Sequence, residues 1–423
     1  MNDNGTNDPN QPPAPPDGGA DRRRPVQAFP TEPRDLGENS PEEFLVKAPE
    51  VSLPKGGGAI TGIGEKFSAN PVTGTAGLSI PIAVSAGRGF APSLSLSYDS
   101  GAGNGPFGIG WSLSTPSIRR KTDRGLPQYR DTTTGPESDT FVFSGAEDLV
   151  PQQKLVSGTW SDDVRTETVA SVTYHVRRYR PRVEGAFARI ERWTSQDDGS
   201  TFWKTITGEN VTRYYGQSTA SRVSDPDDPS RVFEWLLDQA EDELGNTIVF
   251  TYEAEDRVNV SSSHPAERTR ALDGHQCTFR YLKTIQYGNT EPFDSSTGGS
   301  NDFLFKVVFD YGEHTTTPPT STTDTTWPVR QDPYSRFRSG FDIRCYRLCR
   351  RILVFHDFTS ELGGEVLVKS TDLTYAQSAR GTVLTEACHT GWDGSSDLST
   401  PPVQFGYTQP TLGTDVEFVE GLD

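Results

Sequence analysis

Short apolar runs that alternate with period two, each stopped by glycine or proline, constrain this chain more than any other feature. In Gly77–Val84, the side chains of Leu78, Ile80, Ile82 and Val84 fall on one side of an extended segment, which is the arrangement of a half-buried β-strand. Leu94, Leu96 and Tyr98 repeat the pattern, and Gly87-Arg88-Gly89 supplies a turn between the two runs. Pro81 has no N–H to give to a ladder, so the first strand is expected to be an edge or to carry a bulge. The stretch from Gly101 to Gly110 holds five glycines and Pro106, a loop ahead of a strand at Trp111-Ser112-Leu113. Further on, Val232–Leu237 and Thr247–Tyr252 flank Leu244-Gly245-Asn246, a hairpin whose Gly-Asn turn tolerates positive φ. Two more hairpins are expected, Tyr281–Tyr287 with Phe303–Phe309 and Ile343–Phe355 with Val366–Tyr375. Helical periodicity is not found. The fold class is therefore all-β: many short antiparallel strands and hairpins forming a curved sheet, with surface excursions such as Thr315–Thr326.

Composition agrees with that class. Hydrophobic residues make up only 32%, but aromatics reach 10%, as expected of thin sheets that fill a narrow core with rings and expose their other face. Residues 1–50, rich in proline and charge, cannot bury enough apolar surface to offset chain entropy and are read as a disordered tail. Only Glu42–Val46 could make a helical turn there. The β domain is placed at 51–408, with Pro401–Tyr407 as its closing strand, and 409–423 as a linker toward a missing domain.

A formal net charge of -18 repels phosphate backbones and anionic lipid, which excludes nucleic-acid binding and disfavours a membrane surface. The basic residues are mostly arginine, with sparse lysines such as Lys47, Lys283 and Lys369, which suits a salt-adapted host or a GC-rich genome equally well. No run approaches the roughly 20 apolar residues that span a bilayer, and Met1–Gly19 has no apolar stretch of the kind a secretory signal needs. Cys277, Cys345, Cys349 and Cys388 are too few for a disulfide framework in a chain of this length. The chain is expected to be made in the cytoplasm and to leave it, if at all, by another route than the general signal-peptide pathway.

Four stretches carry a resemblance. They are Gly62–Thr75 (GIGEKFSANPVTGT), Ser95–Trp111 (SLSYDSGAGNGPFGIGW), Ser144–Val150 (SGAEDLV), and Arg336–Phe355 with Gly340-Phe341 and Tyr346–Arg351 inside it. In this order and over most of 62–407, the chain resembles the SpvB-like N-terminal domain of the B components of Tc insecticidal toxin complexes. That resemblance implies a non-enzymatic structural part of a β-sheet shell that encloses a toxic cargo, secreted as part of the complex. The partners it implies are other toxin-complex subunits or the remainder of the B and C component shell. The chain departs from the full pattern, because neither a propeller nor Rhs-type shell repeats follow in this sequence, so docking on a pore is not carried over. The alternatives are a stand-alone secreted or surface interaction module that binds glycan, a remnant of a larger toxin, and an ADP-ribosyltransferase-associated targeting domain.

The search for chemistry yields no catalytic, cofactor-binding or metal residue and leaves interface residues unknown. A member of the wider family carries an ADP-ribosyltransferase domain after this region, and such transferases are built on an Arg, then a Ser-Thr-Ser strand, then Glu-x-Glu. Here Glu241-Asp242-Glu243 and Glu253-Ala254-Glu255 precede Ser321-Thr322-Thr323, the wrong order, and read as solvated charge at turns and strand ends. Gly103–Gly108 satisfies G-x-G-x-x-G, but a strand follows where a dinucleotide site needs a helix N-terminus. Cys345 and Cys349, with His356 and Cys388-His389 beyond, could supply zinc ligands, yet they lie in a strand-like segment where thiols act as small hydrophobes. Asp225-Pro226-Asp227-Asp228 lacks the glycine and distal glutamate of a calcium loop. Trp193 and Trp203 could form a carbohydrate platform but fit core positions of a hairpin better. The six histidines, His175, His264, His275, His314, His356 and His389, are scattered, so no Ser-His or Cys-His couple can be nominated.

Overall fold

The computed structural model of the chain describes residues 65–69, 74–144, 148–183, 185, 187–268, 270, 276–293 and 302–408. The tail 1–50, its turn at Glu42–Val46, the linker 409–423, the Gly62–Gly64 opening and His275 lie outside them.

Strands β1 (Lys66–Ala69), β2 (Ala76–Pro81) and β3 (Ser95–Asp99) run antiparallel to one another. A miniature hairpin of β4 (Asn104–Gly105) and β5 (Gly108–Ile109) leads into β6 (Trp111–Leu113), which pairs with β3 to complete a four-stranded meander. Gly108 and Gly110, at φ +90° and +81°, let the chain reverse twice within this loop. Pro81 ends β2 opposite Ser95, beyond the Lys66–Ser79 end of the β1 pairing. The Ile82 N–H bonds Leu94 O, so at Pro81 the backbone nitrogen faces away from β3, where no ladder bond is lost.

The second sheet carries the rest of the chain. It contains β7 (Ser117–Arg120), β8 (Phe141–Phe143) and β9 (Asp148–Pro151). A separate hairpin, β10 (Gln153–Val156) with β11 (Thr159–Asp162), then leads to β12 (Val164–Val169) and β13 (Val172–Pro181). Next come β14 (Arg189–Ser195), β15 (Thr201–Ile206), β16 (Thr212–Tyr215), β17 (Arg222–Ser224) and β18 (Val232–Glu241). All pair antiparallel.

At β18 the sheet forks. One side of β18 pairs with β16 and β17. The other side is divided: Glu234–Leu236 pair with β7, whereas Gln239–Glu241 pair with β19 (Thr247–Ala254). Through β7–β8, β8–β9, β9–β13, β13–β14, β14–β15, β15–β16 and β16–β18, the first branch returns to β7 and closes a ring of eight strands. Closure removes the edges of those strands, which the alternation pattern alone did not foretell. The second branch stays open, from β19 through β20 (Arg280–Asn289) and β21 (Phe303–Asp310). A short pair, β22 (Tyr334–Arg336) with β23 (Ile343–Cys345), intervenes. The branch then resumes with β24 (Arg351–Asp357), β25 (Glu365–Ser378) and β26 (Gly381–Asp393) and ends at β27 (Ser396–Ser399) and β28 (Val403–Gln404).

The expected hairpins at β20–β21 and β24–β25 are present. β18 meets β19 around the expected turn, but through Gln239–Glu241 and not through Val232–Leu237, which pairs with β7, β16 and β17. Ile343–Phe355 is not a single strand. Between β23 and β24 the backbone leaves regular ladder pairing. Tyr281 Oη accepts from the Tyr346 N–H at 3.0 Å, and Pro106 O and Asp310 O accept from the Cys349 and Arg350 N–H groups at 2.9 and 2.7 Å.

The meander packs on one face of the open branch. Ile80, Leu96, Phe107 and Trp111 share a core with Ile285, Val307, Phe309, Ile352, Val354 and Leu384. Period two sends the alternate residues, Val308, Leu353 and Phe355, into a smaller cluster with Leu367 on the opposite face. Among the described residues no helix is long and apolar enough to cross a membrane.

Candidate functional site

The eight-strand ring holds the molecule's most concentrated chemistry. Ile118, Phe141, Tyr179, Ile190, Trp203 and Trp235 fill it, with Phe141 edge-on to Trp203 at 5.0 Å between ring centroids. Two residues along from Ile118, Tyr179 and Ile190, on the same face of their strands, stand Arg120, Arg177 and Arg192, each no more than 3% exposed. Three buried guanidiniums require counter-charge. The loop 121–140 between β7 and β8 supplies it by folding over the ring. Arg120 donates to both Asp131 oxygens at 2.7 and 2.6 Å, to Asp139 Oδ2 at 2.7 Å and to Val232 O at 2.7 Å. Arg192 lies 2.6 Å from Glu137 Oε1 and donates to Thr132 O at 2.6 Å. Arg177 donates to Gly135 O at 2.7 Å and to Asp162 Oδ2 at 3.0 Å. Burial pushes the Asp131 carboxyl up, but the Arg120 hydrogen bonds outweigh it and hold the group below the usual range. This is an ion-paired plug, and it explains the arginine usage: planar forks chelate carboxylates where lysine would make a point contact.

The motifs weighed in the sequence fall in structural roles. Arg330 clamps the G-x-G-x-x-G loop, donating to Gly105 O and Asn104 Oδ1, each at 2.8 Å. Glu255 departs from its expected solvated role: its side chain is fully buried, taking Arg347 Nη2 at 2.6 Å and Tyr281 Oη at 2.8 Å. Glu243 stays exposed as expected and takes the Asn210 amide at 3.1 Å. Asp225 is 4% exposed, bonded to Arg231 at 2.7 Å and to the Asp227 N–H at 3.0 Å, so it braces its turn. Trp193 and Trp203 are core residues, 4% and 0% exposed.

Cys345 and Cys349 are buried free thiols, and burial pushes the Cys349 thiol up, which keeps it protonated and inert. Cys388 bonds Thr400 O and His389 bonds Thr371 Oγ1. They do not gather with His356 into a three-ligand set among the described residues.

Two features were not legible in the sequence. Ser85 Oγ lies 2.6 Å from His356 Nε2 across 271 positions. The His356 ring is packed edge-on against Phe305 and Phe358, a setting that positions a loop on the sheet. Besides this couple, a cleft of about 590 Å³ is lined by Arg222, Arg280, Asp198, Asp225 and Cys277.

Exposed apolar side chains mark the margins. The β10–β11 hairpin pairs Leu155 with Trp160, 59% and 65% exposed. Leu398, on the outer strand β27, is 83% exposed.

Comparison with known proteins fits this architecture. The family model described as Salmonella virulence plasmid 65kDa B protein, SpvB, matches residues 70–358. The mono(ADP-ribosyl)transferase SpvB of Salmonella choleraesuis (strain SC-B67) is 38% identical over 351 residues, 80% of this chain and 55% of that protein. The chain thus spans about half the length of the curated relatives it matches. The N-terminal domain of effector protein SpvB from Salmonella typhimurium strain LT2 superposes with a TM-score of 0.67 at 36% identity, over 74% of this chain and 98% of that one. The TcdB2-TccC3 structure matches with a TM-score of 0.73 at 35% identity, over 85% of this chain but 17% of that one. The ordered motifs, the all-β architecture and these matches together establish that the chain belongs to the SpvB family.

Proposed function

We propose that the chain is a non-enzymatic wall segment of a Tc-like toxin assembly, helping to form a β-shell that keeps a toxic cargo away from the cytosol until delivery. The observation that carries this reading is the asymmetry of coverage. Most of this chain corresponds to 17% of the much longer TcdB2-TccC3 chain, so in that protein the same fold is one section of a larger body. The fork at β18 suits such a role. A ring with no free edges anchors the segment, and an open branch ending at β27 and β28 leaves strand edge for a neighbour. In this reading 51–408 is the wall unit, 1–50 a tail and 409–423 a linker. Its partners are other toxin-complex subunits or the rest of the shell, and it is secreted with them. Its buried carboxylates serve ion pairs, and the curated relatives' transferase activity is not assigned to these residues.

A second reading has its own support. The SpvB N-terminal domain, matched over 98% of its length, is a structure solved by itself, which favours a self-sufficient secreted interaction module. Co-expression with the product of the neighbouring gene, followed by size-exclusion chromatography with light scattering, separates the two. A stable complex supports the wall segment. A well-behaved monomer with no affinity for that product sinks it and leaves the independent module.

A further inference from the structure

The turn that leaves β21 gathers three ligand-type side chains outside the ring and its plug. Asp310, Glu313 and His314 are 0%, 3% and 1% exposed, and one ligand atom from each lies within 4.8 Å of the others. Gly312, at φ +107°, bends the chain back so that positions 310, 313 and 314 converge. Asp310 Oδ1 accepts from the Gly312 and His314 N–H groups at 2.7 and 3.4 Å, and Oδ2 from Arg351 Nε at 2.7 Å. Glu313 Oε2 accepts from the Tyr311 N–H at 2.8 Å, and Oε1 from the Lys283 ammonium.

His314 is the informative member. Its Nδ1 lies 2.9 Å from Thr320 O, which only accepts, so Nδ1 carries the proton. Nε2 then presents a bare lone pair. It is buried without a hydrogen-bond partner and lies 3.9 Å from Glu313 Oε1. A lone pair facing carboxylates in a dry site needs a positive group between them, either a proton or a cation. An imidazole whose other nitrogen is pinned by a backbone carbonyl is the arrangement typical of a metal-bound histidine. Lys283 neutralises Glu313 but makes no bond to Nε2, so it leaves the lone pair unanswered.

We propose that Asp310, Glu313 and His314 form a binding site for a divalent transition-metal ion of the zinc class, and that the ion displaces the Lys283 ammonium from Glu313. One imidazole nitrogen with two carboxylates suits zinc or manganese better than the all-oxygen cages of calcium and magnesium. Bonds of about 2.0–2.2 Å place ligand atoms roughly 3–4 Å apart, so small rotations of these side chains close the set. The neighbouring thiols Cys345 and Cys349 are not members.

The test is calorimetric titration of the metal-stripped full chain with zinc chloride, paired with the visible spectrum of the cobalt(II) form. The expected result is one ion per chain, bound at least about tenfold more weakly by His314→Ala, and more tightly by Lys283→Met. The cobalt spectrum of the unaltered chain should show nitrogen and oxygen ligation without a thiolate charge-transfer band, a readout that needs no variant to fold. Absence of zinc binding overturns the proposal. So does equal affinity in His314→Ala and Glu313→Gln, or a thiolate band, which would place the ion on the cysteines instead.

Discussion

The closed ring and the open branch share a strand, β18, yet solve the problem of sheet edges in opposite ways. The ring pairs every strand to a neighbour and buries charge inside, three arginines against the carboxylates of one loop and one strand. The open branch buries a broad apolar layer under the β1–β6 meander, with a second at Val308, Leu353 and Phe355. It keeps its buried charges paired near strand ends and loops, as in Arg347–Glu255 and Arg351–Asp310, and ends on strands with exposed side chains. Closure makes a site that is specific but electrostatically brittle. An apolar sandwich tolerates small losses but leaves an edge to be covered.

The largest expected effect breaks the ring. Arg120→Met leaves Asp131 and Asp139 facing each other without their cation, and should cost about 3–5 kcal/mol, the penalty for orphaning a buried charge. Urea denaturation followed by tryptophan fluorescence measures it, because Trp203 and Trp235 lie in the same interior. Acid should act on the same half. The Asp131 pKa is lower folded than unfolded, so its contribution is fully present above the unfolded value, about 3.9. That contribution is lost as pH falls through the folded pKa. The melting temperature of the native chain should drop below pH about 4, and part of that drop should vanish in Arg120→Met. A pH profile unchanged by the substitution would mean that the plug does not set acid stability.

Smaller effects belong to the open branch. Ile352→Val removes one buried methyl group from the sandwich and should cost about 0.5–1.5 kcal/mol, with no change in the acid profile. A larger loss than Arg120→Met would reverse the contrast between the two halves. Smallest is Leu398→Lys on β27, expected to shift stability by no more than about 0.5 kcal/mol. Its effect should appear in light scattering at high concentration, as reduced self-association, because a charge on an outer strand discourages edge pairing.

Much of the meander, and the turn into the open branch, was legible beforehand. Alternation at Leu78–Val84 and Leu94–Tyr98 and the turn at Gly245 each depend on neighbours a few positions apart, so they survive reading one residue at a time. The closed ring was not legible, because it rests on β9 meeting β13 and β7 meeting β18, contacts between residues such as Ile118 and Trp235 that no local pattern links. The plug was hidden for a related reason. Arg120, Arg177 and Arg192 look like any surface arginines until strand pairing brings them over one another, and the excess of arginine over lysine reads as a compositional habit. Glu255 was misplaced as a solvated strand-end charge because Arg347, 92 positions away, is what buries it.

By itself, then, the sequence determined the β class, the positions of most turns and the family, since period-two alternation and glycine at forced reversals are local consequences of backbone sterics. The tertiary structure decided which strands close and which stay open, and where charge is buried. It also decided whether a histidine such as His314 faces a backbone carbonyl with one nitrogen and two carboxylates with the other. Those outcomes depend on register between distant strands, and burial, which only the assembled sheet provides, is what turns ordinary side chains into ion pairs and ligands.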